Sequence, residues 1–461
     1  MKITLKSLGA LKYAEFLPDD MTIICGGNNT GKTYAAYALY GFLYLWKKVV
    51  SISIQHEKIT ELLNEGVISI NMQSYIDNMD IILQKACKEY SEQLPKIFAA
   101  SADRLKDASF MISLDSKKHK IIDDYERRVG SVNKEQLSLT KTKGSLNLNV
   151  TLLTEQHQIN FPHDIISQII GEAIKDIIFG NYFPSPFIAS AERTGAAIFR
   201  KELNFARNRL LKEMSQTDQN IDPIKLLFNN YQDYALPVEK DVDFIRQLES
   251  LSKKTGFLQK KHPELLEDFA NIIGGKYTVT KDDELYFIPN KKHVKLTMDE
   301  SSGSVRSLLD IGFYLKHSAK PGDILIIDEP ELNLHPENQR KIARLFTRLV
   351  NIGIKIFITT HSDYIIKEIN TLIMLNNDDA HIKNIIKNEG YSPQELINYN
   401  KIKVYIAEKT LIKVPENKRK TSCQTLSPAN IDQKMGIEAR SFDITIEEMN
   451  QIQDDIVWGA D

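Results

Sequence analysis

The sequence predicts an α/β fold: a largely parallel sheet flanked by helices, a β meander, and a mainly helical insertion. Three observations carry that reading. A glycine-rich loop, Gly26-Gly-Asn-Asn-Thr-Gly-Lys-Thr33, stands between an apolar strand pattern, MTIIC, and a helical one. Two near-continuous apolar runs, in DILIIDEPE and KIFITTHS, are separated by the helical stretch ENQRKIARLFTRLVNIG. Strands apolar on both faces belong to parallel sheets covered by helices on both sides. Finally, 461 residues hold about two to four domains, or one domain with a large insertion.

The elements follow in order. ITLKSL, YAEFL and MTIIC read as short strands, and a helix runs from Tyr34 to about Lys48. Residues 55–180 are polar, with helical periodicity over Ile68–Tyr90 and His163–Ile178. The alternating stretch SLNLNVTLLTEQHQINF between them reads as a strand pair. FPSPFIASAERTG gives a short apolar strand and a charged turn. Residues 196–215 and 239–273 read as exposed helices of mixed charge, and KYTVTKDDELYFIPNKKHVKL as a hairpin or meander. SSGSVRSLLDIGFYLKH reads as a loop opening a helix. The expected organisation is an N-terminal part of the head over 1–54, a mainly helical insertion over 55–275, a C-terminal part of the head over 276–400, and a tail over 401–461.

Composition excludes several classes. Lys+Arg is 59 against Asp+Glu 61, so a strongly basic nucleic-acid binder is not indicated, although a local basic groove is allowed. Cys25, Cys87 and Cys423 are far apart, which supports neither a disulfide framework nor a cysteine zinc site and fits a reducing cytoplasm. The start, MKITLKSLGALKYAEF, lacks the apolar core of a signal peptide. Lys47 and Lys48 interrupt the most apolar run, Ala38–Ile54, so no membrane span is expected. No heptad is sustained, which argues against a long coiled coil.

Gly26–Thr33 matches GxxxxGK[ST], the Walker A pattern, with a strand before it and a helix after it. Glycines let successive backbone N–H groups curl around a phosphate, and the helix start adds partial positive charge. Lys32 is expected to reach the β- and γ-phosphates and the Thr33 hydroxyl to ligate Mg2+. The second motif is ILIIDEPE, a buried strand ending in carboxylates, where open α/β sheets bind ligands. Asp328 is the expected Mg2+ ligand and Glu329 the general base. His361, at the tip of the next strand, could reach a γ-phosphate. Ser301-Ser-Gly-Ser-Val-Arg-Ser307 is a serine-glycine turn opening a helix just before the second motif.

The order Walker A, long insertion, SSG-type signature, DEPE and TTHS resembles the ABC-type ATPases of the SMC/RecF branch. Within it the chain is similar to the compact overcoming-lysogenization-defect-type ATPases, which include PtuA of Septu and AriA of PARIS, subunits of bacterial anti-phage systems. The match covers about 1–50 and 290–375. This resemblance implies an ABC-type ATPase head, using ATP and Mg2+, with nucleotide sandwiched between two protomers, so at least a homodimer. Gly26, Gly31, Lys32 and Thr33 of one copy would face Ser302 and Gly303 of the other. Asn28 would stand near the attacking water, and Asn29 belongs to the same loop. Glu331–Gln339, with His335 at the turn, matches the D-loop, and Gln55 is a candidate for the Q-loop. The signature SSGSVRS departs from LSGGQ. Arg193, in Ala189-Ser-Ala-Glu-Arg-Thr, resembles a strand-end arginine of these ATPases; it could sense nucleotide, bind a partner, or pair with Glu192 or another surface acid.

Nuclease modules of related proteins need a DxD cluster on a strand, and the residues after His361 offer only Asp378-Asp379 and Asp454-Asp455. The expected function is therefore an ATP-hydrolysing sensor of an anti-phage complex whose effector, a nuclease or toxin, is a separately encoded partner; a phage component or DNA is a further possible partner, and none is a membrane. The alternative is a RecF-like repair ATPase that binds duplex DNA directly through Arg200, Lys201, Arg207, Arg209 and Lys212; the same residues could be a solvated face. A third reading, the nucleotide-binding subunit of a membrane transporter, is disfavoured by the signature and by the distance from Lys32 to Asp328. Residues 401–420 hold seven Lys/Arg against two Asp/Glu, and 441–461 hold six acids and no bases. These are either solvated segments or a docking tail, in which Ile446, Met449, Ile452 and Ile456 fall near one helical face beside Trp458.

Overall fold

The computed structural model describes residues 1–114, 121–131, 134–153, 162–200, 234–290, 294–414, 419–438 and 449–456. The chain starts with β1 (Lys2–Leu8) and β2 (Leu11–Phe16), joined at Gly9, whose φ of +58° is left-handed. Next comes β3 (Met21–Cys25), buried at every residue, as a strand covered on both faces must be. The helix Lys32–Val49 follows directly on the glycine-rich loop.

Two compact units divide the chain. The first comprises Met1–Thr4, Phe42–Gln93 and Ala108–Ser185. It contains β4 (Val67–Asn71), β5 (Ser109–Ser113), β6 (Tyr125–Ser131), β7 (Lys134–Lys141) and β8 (Asn147–Leu152). Four of these form an antiparallel sheet in the order β4-β8-β7-β6. The sequence reading placed Ile68 at the start of a helix. Instead Ile68 and Ile70 are buried while Val67, Ser69 and Asn71 are exposed, a period of two that the longer helical window concealed. The stretch read as a strand pair supplies β8 alone; residues 154–161 lie outside the described residues. Phe42, Tyr90, Phe110 and Phe183 form an aromatic core with ring centroids 4.9–5.4 Å apart.

The second unit comprises Leu5–Gly41, Leu94–Asp107 and Pro186–Asp461. Residues 55–275, read from the sequence as one insertion, are thus divided between the units. This unit adds β9 (Pro186–Ala189), β10 (Gly275–Val279), β11 (Leu285–Pro289), β12 (Ile324–Asp328), β13 (Lys355–Thr360), β14 (Ile402–Ile412) and β15 (Thr421–Pro428). Its main sheet runs β15-β14-β3-β13-β12-β9, parallel throughout except for β15, which is antiparallel to β14. The meander read from KYTVTKDDELYFIP is the hairpin β10–β11. Residues 402–428, read as the start of a tail, are strands of the sheet. Ile402, Val404, Tyr405 and Ala407 are buried, and the charges around them mask the pattern. The amphipathic helix Pro336–Asn351 lays Ile342, Ala343, Leu345, Phe346, Leu349 and Val350 into the core.

Of the C-terminal apolar positions, Met449, Ile452 and Ile456 are exposed, while Ile446 and Trp458 lie outside the described residues. Among the described residues no helix is long and apolar enough to cross a membrane.

Candidate nucleotide-binding site

The carboxyl ends of three adjacent parallel strands meet at one place. Asp328 of β12 is level with Thr359 of β13, and Thr360 of β13 with Cys25 of β3. This puts the loop after β3, the acids after β12 and His361 after β13 on the same edge of the sheet, where such sheets bind ligands.

The loop takes its shape from glycine. Gly26 has φ +138° and Gly31 φ +97°, both outside the range of other residues. A Cβ on Gly26 would stand 2.6 Å from the Ala407 carbonyl oxygen. Asn29 is left-handed at φ +60°, a conformation asparagine tolerates, and Asn28 and Asn29 are exposed. Lys32 is only 5% exposed, and its Nζ donates to the Gly26 carbonyl at 2.9 Å and the Gly27 carbonyl at 2.7 Å. Burial lowers its pKa, opposed by the nearby Glu329, Asp328 and Glu331.

Thr33, in the first turn of the helix, donates from Oγ1 to Asp328 Oδ1 at 3.2 Å. Thr359 donates its hydroxyl to the same oxygen. Asp328 is fully buried, and its Oδ2 has no partner. Burial pushes its pKa up to about 6, against the two hydroxyl donors, which pull it down. A buried carboxylate oxygen without a donor, beside a threonine hydroxyl, fits a hard divalent cation such as Mg2+, which takes carboxylate, hydroxyl and water oxygens.

Glu329 has φ +55°, an uncommon and strained conformation for this residue. Its N–H donates to the Thr359 carbonyl at 3.0 Å. Its side chain is partly exposed, and Oε1 lies 3.6 Å from His361 Nδ1. Glu331 Oε1 accepts from the His361 N–H at 2.7 Å and lies 3.3 Å from Nδ1. Thr359 was not singled out from the sequence, and Glu331 was read only as the start of the D-loop. The carboxylate cluster DEPE and the doubled hydroxyls of TTHS were the available signals.

Ser302 and Gly303 start the helix Gly303–Ser307, and Ser302 Oγ caps it by accepting from the Val305 N–H at 3.4 Å. Ser302 is exposed. Among the described residues no hydrogen bond joins these two to residues 26–33 of the same chain. His335 caps the helix Pro336–Asn351, its Nδ1 accepting from the Glu337 N–H at 3.3 Å. Gln55, the Q-loop candidate, belongs to the first unit, where it precedes the helix His56–Glu65.

Two arginines differ from their sequence readings. Arg193 pairs with no surface acid: it is 1% exposed and bound to four backbone carbonyls, while Glu192 accepts from Tyr37 OH at 3.0 Å. Arg200, first of the proposed DNA contacts, is buried, with Nε on the Ile245 carbonyl and its Nη atoms on Asp283. Its guanidinium is committed inside the fold and offers DNA nothing. Lys201, Arg207, Arg209 and Lys212 lie outside the described residues.

Sheet order and strand-end chemistry together define a P-loop nucleotide-binding fold of the ABC-type ATPase head. The chain belongs to the AAA ATPase domain family, whose profile matches residues 1–366. Among solved structures, it is similar to an SMC head bound to the C-terminal winged-helix domain of ScpA (14% identity, TM-score 0.30, covering 80% of this chain and 91% of that one). It is also similar to a Pyrococcus furiosus SMC head with an extended coiled coil, bound to the C-terminal domain of ScpA (13%, TM-score 0.31, 98% of each chain). A third is the SMC head domain of Thermotoga maritima (11%, TM-score 0.31, 93% and 98%). No curated protein matches the chain.

Proposed function

We propose that this chain binds ATP with Mg2+ and hydrolyses it in a site completed by a second copy. The observation that supports this best is Asp328, a buried carboxylate with one oxygen held by two hydroxyls and the other unpartnered. Thr33 and Asp328 would hold Mg2+, which on binding draws charge from the β- and γ-phosphates. Lys32 leaves the Gly26 and Gly27 carbonyls for the phosphate oxygens, which arriving nucleotide makes the stronger acceptors. Gly26, Asn29 and Gly31 shape the loop around the phosphates.

Glu329 is the general base. The oxygen of a water near Asn28 forms a bond to the γ-phosphorus, the bridging P–O bond to the β-phosphate breaks with its electron pair leaving on ADP, and the proton of the water passes to Glu329. His361, fixed through its backbone by Glu331, lies beside the Glu329 carboxylate, where it would reach the γ-phosphate. Ser302 and Gly303 of the second copy close over the triphosphate. The expected outcome is ATP-dependent dimerisation on sedimentation; hydrolysis by a strict monomer would remove the sandwich.

The wider role rests on the resemblance in motif order. We infer an ATP-dependent sensor or regulator within a bacterial anti-phage defence complex, acting on a separately encoded nuclease or toxin. Affinity capture of the Glu329→Gln variant from its native locus, read by mass spectrometry, tests this. A stoichiometric protein encoded next door is expected. Recovery of DNA without a protein partner would overturn the reading.

A further inference from the structure

A buried guanidinium is costly to desolvate and persists only where its donors are met. Arg193, among the largest fully enclosed side chains, places four of its five donors on backbone carbonyls. Nε donates to the Ser307 carbonyl at 2.6 Å, Nη1 to those of Ser190 at 2.8 Å and Asp328 at 2.6 Å, and Nη2 to that of Glu329 at 2.6 Å. These carbonyls belong to three elements: the loop leaving β9, the last residue of the helix Gly303–Ser307, and the end of β12 with the strained residue after it. The planar fork of arginine spans three such elements, whereas a lysine ammonium is a point charge on one flexible stem.

The same helix is tied to the segment after β12 a second time. Ser307 Oγ donates to the Leu332 carbonyl at 2.9 Å, and a Cβ on Gly303 would lie 3.2 Å from the Asn333 side chain. Behind the guanidinium sit Asp241 and Asp310, both fully enclosed, with Ser190 Oγ donating to Asp241 Oδ2 at 2.9 Å. Burial raises the pKa of both carboxyls, most for Asp241, and the arginine charge opposes that rise while its donors stay on the carbonyls.

We propose that Arg193 is a positioning residue that couples the two halves of the composite site. It holds the backbone of Asp328 and Glu329 and, through Ser307, the helix that presents Ser302 and Gly303. A shift of the 328–329 carbonyls when nucleotide engages one site is thereby passed to the helix offered to the second copy. This inference rests on the sandwich reading above. Arg193 itself touches no nucleotide.

Hydrogen exchange of the full chain, with and without Mg2+ and the non-hydrolysable analogue AMP-PNP, tests it on wild type, Arg193→Lys and Arg193→Gln. In wild type, exchange is expected to slow both at 26–33 and at 303–307. At saturating AMP-PNP both variants should keep the response at 26–33, because Arg193 makes no hydrogen bond to that loop, whatever affinity is lost through the Asp328 backbone. They should lose the response at 303–307 and the nucleotide-driven dimer. Arg193→Lys keeps the buried charge, so it separates the fork from the charge if the glutamine variant does not fold. A wild-type response at 303–307 in Arg193→Lys overturns the coupling. Wild type that slows at 26–33 but not at 303–307 refutes the coupling and leaves the nucleotide site standing. No slowing at 26–33 in wild type refutes the site, and the inference with it.

Discussion

Replacing Asp328 with asparagine should make the nucleotide-free protein more stable and its nucleotide response weaker. The carboxylate is fully buried, two hydroxyls share one of its oxygens, and the other oxygen has no partner. Burial raises its pKa from the ordinary 3.8 to about 6. At roughly 1.4 kcal/mol per pKa unit, ionising it at pH 7.5 costs the folded chain on the order of 3 kcal/mol relative to a neutral side chain. Asparagine escapes that cost but buries an amide N–H with no acceptor, worth about 1–2 kcal/mol. The net gain is about 1–2 kcal/mol, or a rise of about 1–2 °C in Tm for a chain of 461 residues. The sign with pH follows from a folded pKa above the unfolded one. Wild-type stability from this group is fully present below about pH 4 and lost as pH rises through about 6, and the variant lacks that slope. Thermal melts at pH 5 and pH 7.5, each with and without Mg2+ and ATP, measure all three effects. Saturating nucleotide at about a hundred times Kd should add about 2.7 kcal/mol to wild type and far less to the variant. A variant that melts several degrees below wild type without nucleotide, yet keeps the full Mg2+·ATP shift, would refute the reasoning.

Three further outcomes are expected. Lys32→Ala should weaken ATP binding about a hundredfold or more by titration calorimetry, since the one buried ammonium of the loop is lost. Glu329→Gln should bind ATP within a few-fold of wild type while single-turnover phosphate release slows by about 10²–10⁴, the usual range for a lost general base. Asp310→Asn should remove part of the pH dependence of unfolding in urea: burial pushes this carboxyl to about 6, so its share of the stability lost from about pH 4 to 6 disappears in the variant while that of Asp328 remains. An unchanged slope there would place the titration on other groups.

The parts of the fold that were legible in the sequence are those with short-range signatures. Gly26 and Gly31 are required by backbone that only glycine adopts, and β3, β12 and β13 carry near-continuous apolar runs because both faces are covered. Elements were missed where charge or a competing period hid the pattern. β14 carries Lys403, Glu408 and Lys409 among its buried residues, and β4 is a two-residue alternation inside a helical window. The role of Arg193 was illegible for a different reason. Three of its acceptors are carbonyls more than a hundred residues away, and any residue could supply a carbonyl. Arg200 looked like part of a basic face because burial beside Asp283 has no local signal.

The most direct test of the composite site is complementation between two inactive variants. Lys32→Ala has a defective loop and an intact signature, while Ser302→Arg has the reverse. Each alone should be inactive. Mixed in equal amounts, half of the dimers are mixed and each of those carries one intact site, so ATP hydrolysis should recover to as much as about a quarter of the wild-type rate. A mixture no more active than its parents, or full activity of Ser302→Arg alone, would contradict a site shared between two copies.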